Sequence, residues 1–462
     1  MMKQLPYDLF LKRINSVHTI KQSGKVVKTI GLVVESEGPA VSIGDLCTIE
    51  NPDGEKTRAE VVGFRENRIL LMPLGSMTGI TPGSIVVSTG EQLRVPVGNE
   101  LIGRVIDGLG RPLDGKGPIL TVNTRRIESP PIPAFSRRRI NEALRTGIRV
   151  IDLMATCGRG QRMGIFAGSG VGKSVMLGMI ARGSSADVNI IALVGERGRE
   201  VREFVEKDLG EEGLKRSIII AVTSDQPALI RIKGAMAATA IAEHFRDQGK
   251  NVMLLMDSIT RIAIAQREIG LAVGEPPATK GFTPSVFALL PRILERAGNN
   301  DKGSITGLYT VLVEGDDVNE PISDAVRSIL DGHISLSRKL AAHNQYPAVD
   351  VLDSISRLMI DVVDQEQMDL AAQVREIIAT YRESEDLINI GAYVKGSSEK
   401  IDYAISKIDK IYQFFRQKIS ENDDFEKSKA ALIEILKPEG GRIDGEKVPV
   451  PAGKAASAKI AR

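Results

Sequence analysis

Tryptophan is absent from this 462-residue chain, aromatic residues make up only 4% of it, and cysteine occurs twice, at Cys47 and Cys157. Two cysteines far apart in sequence fit reduced thiols in a cytosolic protein better than a disulfide. No run of eighteen apolar residues is present, so no membrane-spanning helix is expected. The opening Met1-Met2-Lys3-Gln4-Leu5 lacks the apolar core of a signal peptide. Neither sign of charge dominates: the formal net charge of +2 gives no general attraction for nucleic acid. These absences point to a cytoplasmic protein that reaches a membrane only peripherally, through a partner. What remains is ordinary for a soluble globular protein, 42% hydrophobic and 26% charged, in a chain long enough for two or three domains.

Patterning divides the chain. Residues 1–17 carry Leu5, Leu9, Phe10 and Ile14 at rough helical spacing, which suits either a capping helix or a partner-docking segment. From 18 to 95, short alternating apolar runs are punctuated by Gly38-Pro39, Pro52-Asp53-Gly54 and Pro82-Gly83, the pattern of a small β-barrel or sandwich. Phe64 is the one aromatic noted there, too little for a single-strand nucleic-acid platform. A Gly/Pro-rich connector over 96–147 leads into an α/β segment. Its strand candidates at 163–167, 188–194, 217–223, 251–256 and 305–313 alternate with helical stretches, as in a mostly parallel sheet covered on both faces. The connector and this segment together form a domain over 96–370. Helical periodicity fills 371–437, and 438–462 reads as a disordered tail.

The chemistry concentrates at Ala167-Gly168-Ser169-Gly170-Val171-Gly172-Lys173-Ser174, between the apolar Met163–Phe166 and a helix beginning near Val175. A glycine-rich turn there lets backbone N–H groups converge on phosphate oxygens, at the positive end of a helix. Lys173 is expected to reach the β/γ-phosphates and Ser174 to ligate Mg²⁺, although Ala167 stands where the consensus has glycine. The run Val252–Met256 ends in Asp257, a candidate for the other half of the Mg²⁺ site. Ile190–Val194 leads to Gly195-Glu196-Arg197, where Glu196 can orient an attacking water and Arg197 can offset phosphate charge; a surface salt-bridge cluster is the competing reading. Arg357 cannot be told from an ordinary surface arginine by local pattern. With aromatics so scarce, Tyr346, Phe414 and Phe415 are candidates for stacking on a base, with core packing as the default.

Taken together, Gly168–Ser174, Gly195–Glu200, Leu255–Arg261, Gly103–Gly110, Thr223–Pro227 and Tyr346–Asp350 resemble the hexameric rotary ATPase superfamily. Phe166–Gly170, Pro284–Gly298 and Glu385–Gly391 are similar to its type III export branch, flagellar rather than injectisome. The resemblance implies a RecA-like P-loop ATPase core with an N-terminal β-barrel and a C-terminal helical domain, assembling as a homohexamer that binds ATP and Mg²⁺. It implies Lys173 and Ser174 as phosphate and metal ligands, Glu196 as the catalytic carboxylate, Asp257 as the second metal-site residue and Arg357 as an arginine finger acting on the neighbouring protomer. Tyr346 matches an adenine-side aromatic, and the match around Phe414 and Phe415 is looser. It implies an ATPase energising delivery of export substrates to a membrane gate at the inner membrane, with chaperones, substrates and a negative regulator docking at 1–17 as partners, and no nucleic acid. The alternatives are an injectisome ATPase or a non-catalytic nucleotide-binding ring subunit.

Overall fold

The computed structural model describes residues 21–313 and 320–437. The expected docking segment 1–17 and tail 438–462 lie outside them. Six antiparallel strands, Ser23–Ile30, Val33–Glu37, Asp45–Glu50, Lys56–Arg65, Arg68–Pro73 and Ile85–Gln92, close into a barrel around Val34, Ile49, Val61, Leu71 and Val86. Closure leaves no free edge, which settles the choice between barrel and sandwich. A buried lysine fastens the barrel to the central domain: Lys233 Nζ lies 2.6 Å from Glu60 on a barrel strand and 3.0 Å from Glu128.

The central domain is built on a nine-stranded sheet. Its main path runs Val349–Ser356, Gly332–Leu336, Arg162–Ala167, Ser304–Leu312, Asn251–Asp257, Val188–Glu196, Ser217–Thr223 and Val105–Ile106. All are parallel except Val349–Ser356, which runs antiparallel to its neighbour. The middle strands are apolar and buried almost end to end because helices cover both faces. Three strands of this path go beyond the sequence expectation. Gly332–Leu336 alternates buried and half-buried residues, so it lacks the continuous apolar run that marks its neighbours. Val349–Ser356 is interrupted by Asp350 and Asp353, and Val105–Ile106 is a two-residue graft from the connector.

Parallel strands send their carboxyl ends to one edge, where α/β proteins bind ligands. Register pairs Ala167 with Leu312, Met256 with Tyr309 and Leu193 with Asp257, so the glycine-rich turn, Glu196 and Asp257 emerge at the same edge. The connection after Leu336 leaves at that edge and carries Tyr346. Ser356 pairs with Gly332 while Val349 pairs with Leu336, so Arg357 comes just after the strand end at the opposite edge.

Helices Gln365–Asn389, Glu399–Phe415 and Phe425–Leu436 form the carboxyl-terminal layer. Asp364 and Asp424 cap the first and third by accepting backbone N–H bonds from Gln367 and Lys427. Arg149 ties this layer to the sheet domain, its guanidinium donating to Phe414 O at 2.6 Å and Asp423 at 3.0 Å and stacking on the Phe414 ring.

Candidate nucleotide site

The strand Arg162–Ala167 turns through Gly168–Gly172 into the helix Lys173–Gly183. Gly170 (φ +80°) and Gly172 (φ +84°) adopt left-handed backbone that other residues rarely tolerate, and this curls the loop around its own N–H groups. Val171 packs inward at 2% exposure and anchors the turn, whereas Ser169 and Ser174 stay exposed. A Cβ on Gly172 would stand 3.3 Å from the Tyr346 ring, so the glycine also lets that aromatic lie across the start of the helix.

Three charged side chains converge behind the loop. Lys173 Nζ is 2.5 Å from Asp257 Oδ1 and 3.9 Å from Glu196 Oε1, and all three side chains are at most 15% exposed. Thr310, on the adjoining strand, donates to the same Asp257 oxygen at 2.6 Å. Glu196 Oε1 is buried without a hydrogen-bond partner. Burial pushes the Glu196 carboxyl up to about 7, the negative charge of Asp257 adds to the effect, and Lys173 partly offsets it. The result is a carboxylate poised near neutrality, with one acceptor oxygen unsatisfied, beside an anion-binding turn. Ser174 and Asp257 supply a hydroxyl and a carboxylate, the oxygen donors that a hard divalent cation takes alongside phosphate oxygens.

Beyond the loop lies a cleft of about 980 Å³. Val175, Met176 and Met179 form one wall, Tyr346 and Pro347 another, and Gln417–Ser420 a third. Tyr346, a candidate from the sequence, and Val175, the first apolar residue after the turn, both line this cleft. Phe414 and Phe415 do not reach the cleft. Helical spacing puts Phe415 on the buried stripe with Ile408 and Ile411, at 3% exposure, and Phe414 is taken up by Arg149. Arg197 also points away: its side chain is 82% exposed and pairs with Glu200 at 3.7 Å, as in the competing salt-bridge reading. Arg357 is exposed at the far edge of the sheet, about 13 Å along the strands from the loop by a rise of 3.3 Å over four residues. It cannot serve the loop of its own chain.

Thr310, Gln417 and Ile419 border the site although the sequence did not single them out. Arg261 packs its aliphatic stem over Gly195, where a Cβ would lie only 2.7 Å from Arg261 Cβ. The Gly195-Glu196 pair was a usable signal for such a close approach. Thr310 is one of several polar residues in the buried strand Ser304–Leu312, and nothing local singles it out.

The family model for the ATP synthase alpha/beta family nucleotide-binding domain matches residues 147–356, that for the family's beta-barrel domain matches 26–90, and that for the T3SS EscN ATPase C-terminal domain matches 363–434. The flagellum-specific ATP synthase of Bacillus subtilis is 58% identical over 427 residues, covering 91% of this chain and 97% of that one. The chain belongs to the flagellum-specific ATP synthase family. It is an ATPase with a nucleotide-binding domain of the ATP synthase type. The type 3 secretion system ATPase of Xanthomonas euvesicatoria is 49% identical, with 90% of this chain and 94% of that protein covered. The assembled ATPase EscN of enteropathogenic E. coli superposes with a TM-score of 0.85 at 44% identity, over 90% of this chain and all of that one.

Proposed function

We propose that this chain is the Mg²⁺-dependent ATP hydrolase of a flagellar type III export apparatus, working as a homohexamer. The observation that carries the reading is the convergence of Lys173, Glu196 and Asp257 behind a glycine-rich turn, with Glu196 holding an unsatisfied acceptor. The N–H groups of Gly168–Ser174 cradle the phosphates, and Lys173 exchanges Asp257 for β/γ-phosphate oxygens. Ser174 and Asp257 would hold Mg²⁺, which when bound would offset charge on the phosphates. Glu196 accepts a hydrogen bond from the attacking water and takes its proton as the bond from the γ-phosphorus to the ADP oxygen breaks. Arg357, unable to reach its own loop, serves the site of the next protomer and stabilises charge on the transferring group.

The energy released drives unfolding and delivery of export substrates to a membrane gate, with the ring held peripherally at the inner membrane. Its partners are export chaperones, the gate proteins and a negative regulator docking on residues 1–17. Support comes from the flagellum-specific relatives, and from EscN having been solved both assembled and in complex with a central stalk, EscO. Purified protein should hydrolyse ATP in the presence of Mg²⁺, at a rate per molecule that rises with concentration as rings form. A chain that binds ATP yet hydrolyses none at any concentration would be a non-catalytic ring subunit instead.

A further inference from the structure

Arg357 leaves the sheet at its outermost strand, so the ladder holds its root from one side only. The last pair is Ser356 with Gly332, and the Arg357 N–H then donates to Asp331 O at 3.0 Å. Its side chain is exposed, with no hydrogen bond or ion pair among the described residues. A second tie comes from the strand beyond. Gln161, the residue before the strand Arg162–Ala167, is fully buried. Its Nε2 donates to Asp331 O at 3.1 Å and to Ser356 Oγ at 3.0 Å, and its Oε1 accepts from Gly158 N at 2.7 Å. The amide thus reaches across the intervening strand Gly332–Leu336. A Cβ on Gly332 would stand 2.5 Å from Ile355 O and 3.0 Å from Ser356 Cα, so the chains lie too close there for any side chain. Asp331 is clamped in turn, its carboxylate accepting from Arg162 N, Nε and Nη2 at 3.1, 3.0 and 2.9 Å.

We propose that Gln161 is a positioning residue for Arg357, fixing the root from which the arginine reaches the neighbouring protomer. The inference rests on Arg357 acting in trans. A long side chain without partners of its own finds a fixed point only if its backbone is fixed, and a displacement of about 1 Å at a catalytic group can cost about a hundredfold in rate. Two groups at the root, the Asp331 carbonyl and the Ser356 hydroxyl, converge on this one buried amide. The amide itself stands at the foot of the loop strand, about 20 Å from the turn by a rise of 3.3 Å over six residues. Gln161 therefore acts on the arginine its chain offers to the next protomer, not on the nucleotide held by its own loop.

The test uses full-length protein and mixed rings. Gln161→Leu keeps most of the volume and removes the amide. It should lower kcat about ten- to a hundredfold, short of the loss on removing the arginine, with KM for ATP nearly unchanged. Mixing then locates the defect. Combined with Lys173→Ala, which keeps a sound arginine, Gln161→Leu should regain activity beyond the sum of the two, because its loop meets the neighbour's arginine. Combined with Arg357→Ala it should regain none, since neither chain supplies a well-placed arginine. The reverse pattern would put Gln161 in support of its own loop and overturn the proposal, as would a wild-type kcat in Gln161→Leu. Ser356→Ala removes only a hydroxyl and carries the same test if Gln161→Leu does not fold: kcat should fall and the mixing pattern should be the same, and an unchanged kcat overturns the proposal. The assignment of Arg357 is checked separately by mixing Lys173→Ala with Arg357→Ala. If that mixture is silent, the trans arginine fails and this proposal with it; if it is active while Gln161→Leu behaves as wild type, only the role of Gln161 fails.

Discussion

Thr310 Oγ1 donates to Asp257 Oδ1 at 2.6 Å, on the oxygen that also faces Lys173. The threonine sits fully buried inside the strand Ser304–Leu312, and its hydroxyl fixes the aim of a carboxylate proposed to hold Mg²⁺. Groups that orient a metal-binding carboxylate typically matter by ten- to a hundredfold in metal affinity. Thr310→Val keeps the shape and removes the donor. It should raise the Mg²⁺ concentration giving half-maximal ATPase by about tenfold. A magnesium titration at fixed ATP checks this, and an unshifted midpoint would remove Thr310 from the site.

Lys173 is the group whose partner must change. It is paired with the Asp257 carboxylate, so phosphate binding exchanges one charged contact for another. Lys173→Ala leaves Asp257 buried at 5% exposure without its cation. Two anions, the triphosphate and Asp257, would then face each other across the turn. Nucleotide binding should fall beyond detection at micromolar concentrations, measured with a fluorescent ATP analogue. Binding within a few-fold of wild type would argue that the turn alone suffices.

Glu196 gives the site a pH signature. Its carboxyl is raised to about 7 by burial and by Asp257, and only the ionised form can accept a proton from water. For the free enzyme, kcat/KM should therefore climb tenfold per pH unit below about 7 and level off above it. Stability runs the other way. With the folded pKa above that of the unfolded chain, the native state holds the extra proton between the ordinary carboxylate value of 4.5 and about 7, so stability falls as pH rises across that window. Glu196→Gln should bind ATP without hydrolysing it, and should melt higher than wild type at pH 8 but not at pH 4.5. Thermal melts at the two pH values, together with the pH–rate profile, decide the matter.

How each feature is built decides whether the sequence shows it. Asp257 and Glu196 are legible because each breaks an apolar strand at its carboxyl end, and the turn is legible because Gly170 and Gly172 mark left-handed backbone. Gly332–Leu336 and Val349–Ser356 were hidden because strands near a sheet's edge bury one face incompletely, so polar residues such as His333 and Asp353 interrupt them. Phe414 and Phe415 stand out as a rare aromatic pair, but the periodicity of helix Glu399–Phe415 commits Phe415 to the core. Gln417 and Ile419 could not be seen at all. Their place at the cleft comes from contacts with Gly147, Arg149, Arg182 and Tyr346, and no local pattern encodes contacts between segments so distant in sequence.

The placement of Arg357 makes the strongest demand on assembly. It is exposed at the sheet edge opposite the loop, its backbone N–H bonded to Asp331 O at 3.0 Å. Arg357→Ala should therefore fold, assemble and bind ATP as wild type while losing about a thousandfold or more in turnover, the usual cost of removing an arginine finger. Lys173→Ala is inactive for the separate reason that it cannot hold nucleotide. If the arginine acts in trans, mixing the two inactive proteins creates ring interfaces in which an intact loop meets an intact arginine. Activity should then reappear in the mixture and peak near equal proportions. A mixture as silent as its components, with co-assembly verified by mass, would mean that Arg357 and Lys173 do not serve the same site from neighbouring chains.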